Sequence, residues 1–274
     1  MLIVKGAKPI VDKDIRSFIL NTSMSSLYKE SNDQKFISSY LKWIESGNNF
    51  KIFGLDKLYA YITDGITDAF NNFYLTYPTR KTIVMAGEYP QHKRMGATTM
   101  ETAIYSGSKF IVSYPFSATG TVPEHFEDLM GICSKRNIPV FLDCAYHGIS
   151  SVEPIDINAY DCIKFVGISL SKTFATGTSG RVGVCFTKEE QMHSPMCIEY
   201  FNRSSVNLHS ILIQNFSADY IYNKYREKQI NLCNDLKLTP SDTVLFGTTN
   251  NTEWDDYKRD KTINRICLSM ELEK

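Results

Sequence analysis

The sequence predicts an α/β protein: a three-layer α/β/α large domain on a mainly parallel sheet, followed by a smaller α+β domain. Two observations carry this. Over about 51–200, short apolar runs alternate with stretches of helical periodicity. Parallel strands joined through helices bury a sheet on both faces. Two of the runs, 138–142 and 163–168, break off sharply into polar residues, as buried strands do where they deliver side chains to the carboxyl edge of a sheet. The expected organisation is an amino-terminal arm with helices over 1–50, a large domain over 51–200 and a small domain over 201–274.

Taken in order, Asp12 is placed to cap a helix whose Ile15, Phe18 and Ile19 recur at helical spacing. Phe36, Ile37, Tyr40, Leu41 and Ile44 mark a second helix, which stops at Gly47-Asn48-Asn49. A β-like run from Leu58 reaches Gly65, and a helix follows with Thr67 and Asp68 in its first turn. The first amides of a helix lack internal partners, so Gly65, Ile66 and Thr67 form a candidate anion cradle, with Asp68 acceptable there only as a cap pointing away. A strand over 82–86 leads to the turn Gly87-Glu88-Tyr89-Pro90, and 101–106 leads into an apolar strand at 110–113. The segment 124–135 reads as a helix with Phe126, Leu129, Met130 and Cys133 on one face. Beyond it come a strand over 181–187, a helix near Glu189, a long helical region over about 206–236, and small-domain strands at 244–246 and 265–269.

Composition excludes some classes. Thirty basic and thirty acidic side chains give zero net charge, without the clustered basic excess of a nucleic-acid binder. No apolar run reaches the eighteen or so residues a membrane span needs, and no secretory signal precedes the first helix, so a cytoplasmic protein is expected. Seven scattered cysteines without a C-x-x-C pair read as reduced core residues rather than a zinc site.

The chemistry concentrates in 140–183. Asp143-Cys144-Ala145-Tyr146-His147-Gly148 follows one apolar run; Ser169-Leu170-Ser171-Lys172-Thr173-Phe174 follows the other, and Arg181-Val182-Gly183 comes after a loop of small residues. Two adjacent strand ends would present Asp143, Tyr146, Ser169, Ser171, Lys172 and Arg181 to one crevice. The spaced elements D-x-A-Y-x-G, S-x-S-K-x-F and R-x-G resemble the core signature of fold-type I pyridoxal-phosphate enzymes, the class I/II aminotransferases.

That resemblance implies pyridoxal 5'-phosphate as cofactor. Asp143 would pair with its ring nitrogen, Tyr146 with its phenolic oxygen, and Lys172 would be the Schiff-base residue. Ser169 and Arg181 would hold the phosphate with the backbone of Gly65, Ile66 and Thr67, and Ser171 would stand beside them. Tyr89 would stack on the ring. The loop 115–123 resembles the family's N-P-T-G loop, with Ser117 where asparagine usually donates to the phenolic oxygen and Ala118 in place of proline. Arg265 would pair with the substrate α-carboxylate. It lies 93 residues after Lys172, a shorter interval than in usual members, which implies an abbreviated small domain. The family also implies a homodimer and amino transfer from an amino acid to a 2-oxo acid. The same cofactor serves lyases and decarboxylases, and a binding protein without turnover is a further alternative.

The residue types suit that chemistry on independent grounds. A lysine attacks an aldehyde only when neutral, which burial beside other cations favours. A carboxylate about 4 Å from a pyridine nitrogen, at an effective dielectric near 20, contributes up to roughly 4 kcal/mol, or about three pKa units, enough to keep the ring protonated at neutral pH.

Overall fold

A computed structural model describes residues 3–100, 104–177, 180–191, 201–259 and 263–274. In chain order its first half contains α1 (Lys13–Asn21), α2 (Met24–Leu27), α3 (Asp33–Ser46), β1 (Ile52–Phe53), β2 (Tyr59–Thr63), α4 (Ile66–Thr76), β3 (Lys81–Val84), α5 (Pro90–Arg94), β4 (Thr98–Thr99), β5 (Ser108–Ser113) and α6 (Phe126–Lys135). There follow β6 (Val140–Asp143), β7 (Ile155–Asp156), β8 (Ile163–Ser169), β9 (Gly183–Thr187), α7 (Arg203–Asn215), α8 (Tyr220–Asp235), β10 (Thr239–Pro240), β11 (Phe246–Thr249), β12 (Lys258–Arg259), β13 (Ile263–Cys267) and α9 (Ser269–Leu272).

Seven strands form the main sheet in the order β2-β9-β8-β6-β5-β3-β4. The pairs from β8 to β4 are parallel, whereas β9 is antiparallel to both of its neighbours. The expected mainly parallel three-layer fold is what the chain adopts.

Strand alternation explains the layers, because successive side chains leave a strand on opposite faces. Val84, Ile111, Phe141, Phe165 and Cys185 pack with Ala69, Phe70 and Phe73 of α4. The alternate residues, among them Phe110, Val112, Val140, Leu142, Val166 and Val184, join the larger core with Leu129 and Met130 of α6. Phe141 meets the rings of Phe70 at 4.8 Å, Phe73 at 5.5 Å and Phe165 at 6.1 Å. Such pairs contribute about 0.5–1.5 kcal/mol each beyond the area they bury.

The amino-terminal helices form as expected. Asp12 caps α1 through the amides of Asp14 and Ile15, and α3 buries Phe36, Ile37, Tyr40, Trp43 and Ile44. Downstream, β10-β11-β13-β12 form a four-stranded antiparallel sheet, against which α8 packs. Val4 of the arm bridges to Cys267 of β13, so the amino-terminal segment joins this second sheet.

Three details differ from the sequence expectation. The long helix over 206–236 is two helices, α7 and α8. Phe216 is extended, its carbonyl accepts from Trp43 Nε1 at 2.7 Å, and Asp219 accepts from the amide of Asn48 at 2.6 Å. Tertiary partners for the break outweigh the propensity to continue. Glu189 starts no helix among the described residues; its carbonyl accepts from the Thr187 hydroxyl and the Gln191 side chain, bonds that compete with helix formation. Val244 and Leu245 are core residues ahead of a strand that begins at Phe246. Cys197 and Glu101, also read from the sequence, lie outside the described residues.

Phe141 is wholly buried, so Phe141→Ala should cost about 3–5 kcal/mol. Urea denaturation checks this, and a loss under about 1 kcal/mol would show that the aromatic layer is not what fixes α4 to the sheet.

Candidate active site

The reversed strand β9 explains why the site residues meet. Its first residue, Gly183, pairs with Thr63 at the end of β2 and with Ser169 at the end of β8. Because β9 runs backwards, the residues just before it lie at the edge where the other strands finish. Arg181 therefore arrives beside the start of α4 and beside the Ser169–Lys172 turn; in a parallel strand it would sit at the far edge. Asp143 reaches the same edge, paired in register with Ser113 of β5 and Gly167 of β8.

Gly167 and Gly65 bring the pieces close. A methyl group at Gly167 would stand 2.7 Å from the Phe141 ring and 2.9 Å from Ile66, so glycine lets the first turn of α4 approach the sheet. Gly65 has φ +71° and Arg181 Nη2 would be 2.9 Å from any Cβ there. Both the left-handed backbone and the close guanidinium require glycine. Arg181 Nη2 also donates to Thr67 Oγ1 at 3.3 Å. Gly65 offers α4 no side-chain cap, and Asp68 turns back to accept from the amide of Asp64 at 3.3 Å, as the sequence reading required of it.

These elements surround a cavity of about 440 Å³, within the range of roughly 300–1,000 Å³ common for small-molecule sites. Ile66, Thr67, Tyr89, Ser117, Asp143, Tyr146, Ser169, Ser171, Lys172, Arg181 and Arg265 all line it. Gly65 stands immediately behind Arg181. The candidate residues named from the sequence are thus brought to one place.

Asp143 is buried, and its Oδ1 accepts from the amide of Ala145 at 2.8 Å. Burial, reinforced by the charge of Glu88, pushes its carboxyl up to about 8. Burial holds the Lys172 ammonium below the ordinary lysine value, with Arg265 and Arg181 acting in the same direction against Cys267 and Asp143. Its Nζ donates to the carbonyl of Ala7. Burial also raises the Tyr146 phenol, and the ring lies edge-on to Phe246 at 5.5 Å. Tyr89 is 42% exposed at the rim. Ser169 Oγ accepts from the amide of Ser171 at 3.2 Å.

On the cavity wall, Ser171 Oγ and Arg265 Nε are buried without a hydrogen-bond partner among the described residues. No ion pair to Asp143 occurs among the described residues. These are groups a phosphorylated, protonated pyridine and an anionic substrate would satisfy.

Some wall residues were not singled out from the sequence. Gly6 and Ala7 of the arm, Ser113 and Arg259 also line the cavity. Glu88 lies behind it, buried, accepting from Ser113 N at 2.8 Å, Ser113 Oγ at 2.6 Å and Tyr89 N at 2.9 Å. A carboxylate within a Gly-x-x-Pro turn was a visible signal for Glu88. Nothing local marks Gly6 or Ala7, whose place depends on a pairing with the other end of the fold.

With the geometry in hand, comparison with known proteins fixes the class. The family described as aminotransferase class I and II matches residues 79–225, a little over half of the chain. The chain belongs to that family of pyridoxal-phosphate-dependent enzymes. Similar solved structures include a PLP-bound C-S lyase from Staphylococcus hominis, at 12% identity and TM-score 0.68, covering 97% of this chain and 86% of that one. A probable N-succinyldiaminopimelate aminotransferase from Thermus thermophilus matches at 14% identity and TM-score 0.66, over 98% and 90%. L-threonine-O-3-phosphate decarboxylase from Porphyromonas gingivalis matches at 14% and 0.63, over 89% and 80%. Likeness at these identities establishes the shared fold. No curated protein matches the chain in sequence.

The raised Asp143 carboxyl has a consequence for stability. With a folded value of about 8 against 3.8, the folded state keeps a proton that the unfolded state has lost between those pH values. Stability therefore falls as pH rises from about 4 to 8, by up to about 1.4 kcal/mol per pH unit, and is undiminished below 4. In cofactor-free protein, Asp143→Asn should gain on wild type across that window. Urea titrations at pH 5 and pH 8 measure the gain; an equal difference at both would contradict a raised carboxyl.

Proposed function

We propose that this protein transfers the amino group of an amino acid to a 2-oxo acid, with Lys172 as the residue that takes up the cofactor. The observation that carries the reading is the half-buried Lys172, its ammonium held below the ordinary lysine value, in one cavity with Asp143, Tyr146 and Arg181. When bound, pyridoxal phosphate supplies an aldehyde that accepts the substrate amine and a ring that draws electrons from the α-carbon.

This chain's residues would do the rest. Asp143 shares a proton with the ring nitrogen, since a carboxyl near 8 and a pyridine can hold one between them. Tyr146, with Ser117 nearby, donates toward the phenolic oxygen, and Tyr89 covers the ring from the rim. Arg181, Ser169, Ser171 and the free amides at Gly65, Ile66 and Thr67 hold the phosphate, where helix amino terminus and guanidinium reinforce each other. Arg265 takes the substrate α-carboxylate. Lys172 Nζ would move the α-proton, and burial, which holds its ammonium below the ordinary lysine value, favours the neutral form a base needs.

The same residues serve elimination or decarboxylation, the reactions named for the lyase and decarboxylase of like fold. The family assignment favours amino transfer. Exposed Leu20, Met24 and Tyr28 by the amino-terminal helices and Leu75, Tyr89 and Met95 near α4 and α5 support a homodimer that covers the cavity mouth. Among the described residues, six buried cysteines outside any disulfide suit a reducing compartment such as the cytoplasm.

Borohydride treatment of cofactor-loaded protein should fix pyridoxyl to one peptide, containing Lys172; label on another lysine would sink the assignment. An ¹⁵N-labelled amino acid should then pass its label to an added 2-oxo acid. Ammonia release would instead mark elimination, carbon dioxide release decarboxylation, and no turnover a binding protein. Gly65→Ala should weaken cofactor binding at least about tenfold, the equivalent of 1.4 kcal/mol, by displacing Arg181. Unchanged affinity would place the phosphate elsewhere. Light scattering at micromolar concentration should give twice the 31.3 kDa chain mass; an active monomer would refute the dimer.

A further inference from the structure

Resting on that reading of the cavity, we propose that Glu88 is a positioning residue for the cofactor ring, acting through Asp143. It is the fixed anion that keeps a proton on Asp143 and the ring nitrogen paired with it. Strand order brings the two acids together. Ser113 ends β5 and pairs in register with Asp143 at the end of β6. Glu88 follows β3, the neighbour of β5 on the other side. The amide of Ser113 donates to Glu88 Oε2 at 2.8 Å, and its hydroxyl donates to Oε1 at 2.6 Å. One residue thus lies beside Asp143 in the sheet and binds both oxygens of the second carboxyl.

Hydrogen bonding decides which acid keeps a proton. Glu88 also accepts from the amide of Tyr89 at 2.9 Å, so an N–H group meets each of its oxygens. The Ser113 hydroxyl itself accepts from the Ser117 amide at 2.8 Å, which leaves its own hydrogen for Glu88. Donors on both oxygens, with an O–H at 2.6 Å, form the pattern of an anion, for which such bonds run about 2.5–2.7 Å. Among the described residues, Asp143 accepts only from the amide of Ala145, at 2.8 Å. Hydrogen bonds to the charged form favour it, and neighbouring acids ionise together only at a cost. Glu88 therefore gives up its proton and Asp143 keeps one.

The other charges nearby agree. Burial raises both carboxyls, and the charge of Glu88 is the next influence on Asp143, ahead of the opposing Lys172. Arg259 of β12 opposes burial at Glu88. Cys144 and Tyr146, on the turn after Asp143, are a thiol and a phenol raised by burial, so neither adds charge. Asp143 lines the cavity and Glu88 does not. A ligand thus meets the acid that holds the proton, while the anion stays locked behind it. A proton on Asp143 or on the ring nitrogen is drawn by the same anion, so the pair keeps it to higher pH. The ring draws electrons well only while that proton is at hand.

The test follows the carboxyl carbons of Asp143 and Glu88 by ¹³C NMR as pH is raised, in protein labelled at its aspartate and glutamate side chains. In cofactor-free wild type, Glu88 should lose its proton first and Asp143 near pH 8. The opposite order, which needs no variant to observe, overturns the proposal. Glu88→Gln should lower the Asp143 midpoint by at least about one pH unit, the scale for coupled acids. Glu88→Asp, which restores the charge, should recover part of that shift. A purely structural side chain would leave the midpoint unmoved in Glu88→Gln, and that result also overturns the role. Added pyridoxal 5'-phosphate should then displace the Asp143 signal. A midpoint that responds to Glu88 while the signal ignores the cofactor overturns the reading of the cavity, and with it the positioning role. A signal that responds to the cofactor while its midpoint ignores Glu88 overturns the role of Glu88 alone.

Discussion

Arg265 is 1% exposed, yet its guanidinium donates to the carbonyls of Ser117 and Lys5 and covers the Phe246 ring. Burying a cation is costly unless its donors find partners. Here they come from three separate parts of the chain: the arm, the loop after β5 and the second sheet. The guanidinium thus pins those parts together around the cavity. Lys172 acts alike from the other side, donating to Ala7, two residues further along the arm from Lys5. The cavity is walled by segments whose positions depend on one buried and one half-buried cation, so its shape and its electrostatics have one origin.

That origin also accounts for the balance of charge inside. Asp143 and Glu88 are both carboxyls raised by burial, and each bears on the other or on an arginine. Asp143 has no direct ion pair among the described residues. Water is scarce there, so a proton is its least expensive companion, and a ligand carrying positive charge at one point and negative charge at others fits the remaining field. Preorganised groups of this kind need no rearrangement when a charge develops.

Much of this was legible in the sequence. Apolar runs that end in Asp143 and Ser169 marked the sheet edge because burial on both faces leaves no alternation to confuse the signal. Asp12 and Gly47 marked helix ends through local capping chemistry. The break at Phe216–Asp219 was hidden because its causes, Trp43 and Asn48, are far away in sequence. Arg259 was hidden for a related reason: its place on the cavity wall follows from pairing with β13, and no periodicity within two residues reveals a register. Residues fixed by their neighbours could be read; those fixed by a distant partner could not.

The distance between those partners shapes how the site comes into being. Lys5 and Arg265 are 260 positions apart, Gly120 and Thr243 are 123, Trp43 and Phe216 are 173. Closing such loops costs more entropy than pairing β5 with β6, so the main sheet gains contacts first and the cavity wall last. Between the emergence of Lys172 and that of Arg265 a ribosome adds 93 residues, on the order of five to twenty seconds at ordinary rates. Throughout that interval the lysine edge of a nearly finished sheet faces open solvent, and the nascent chain meets its surroundings with the site unroofed.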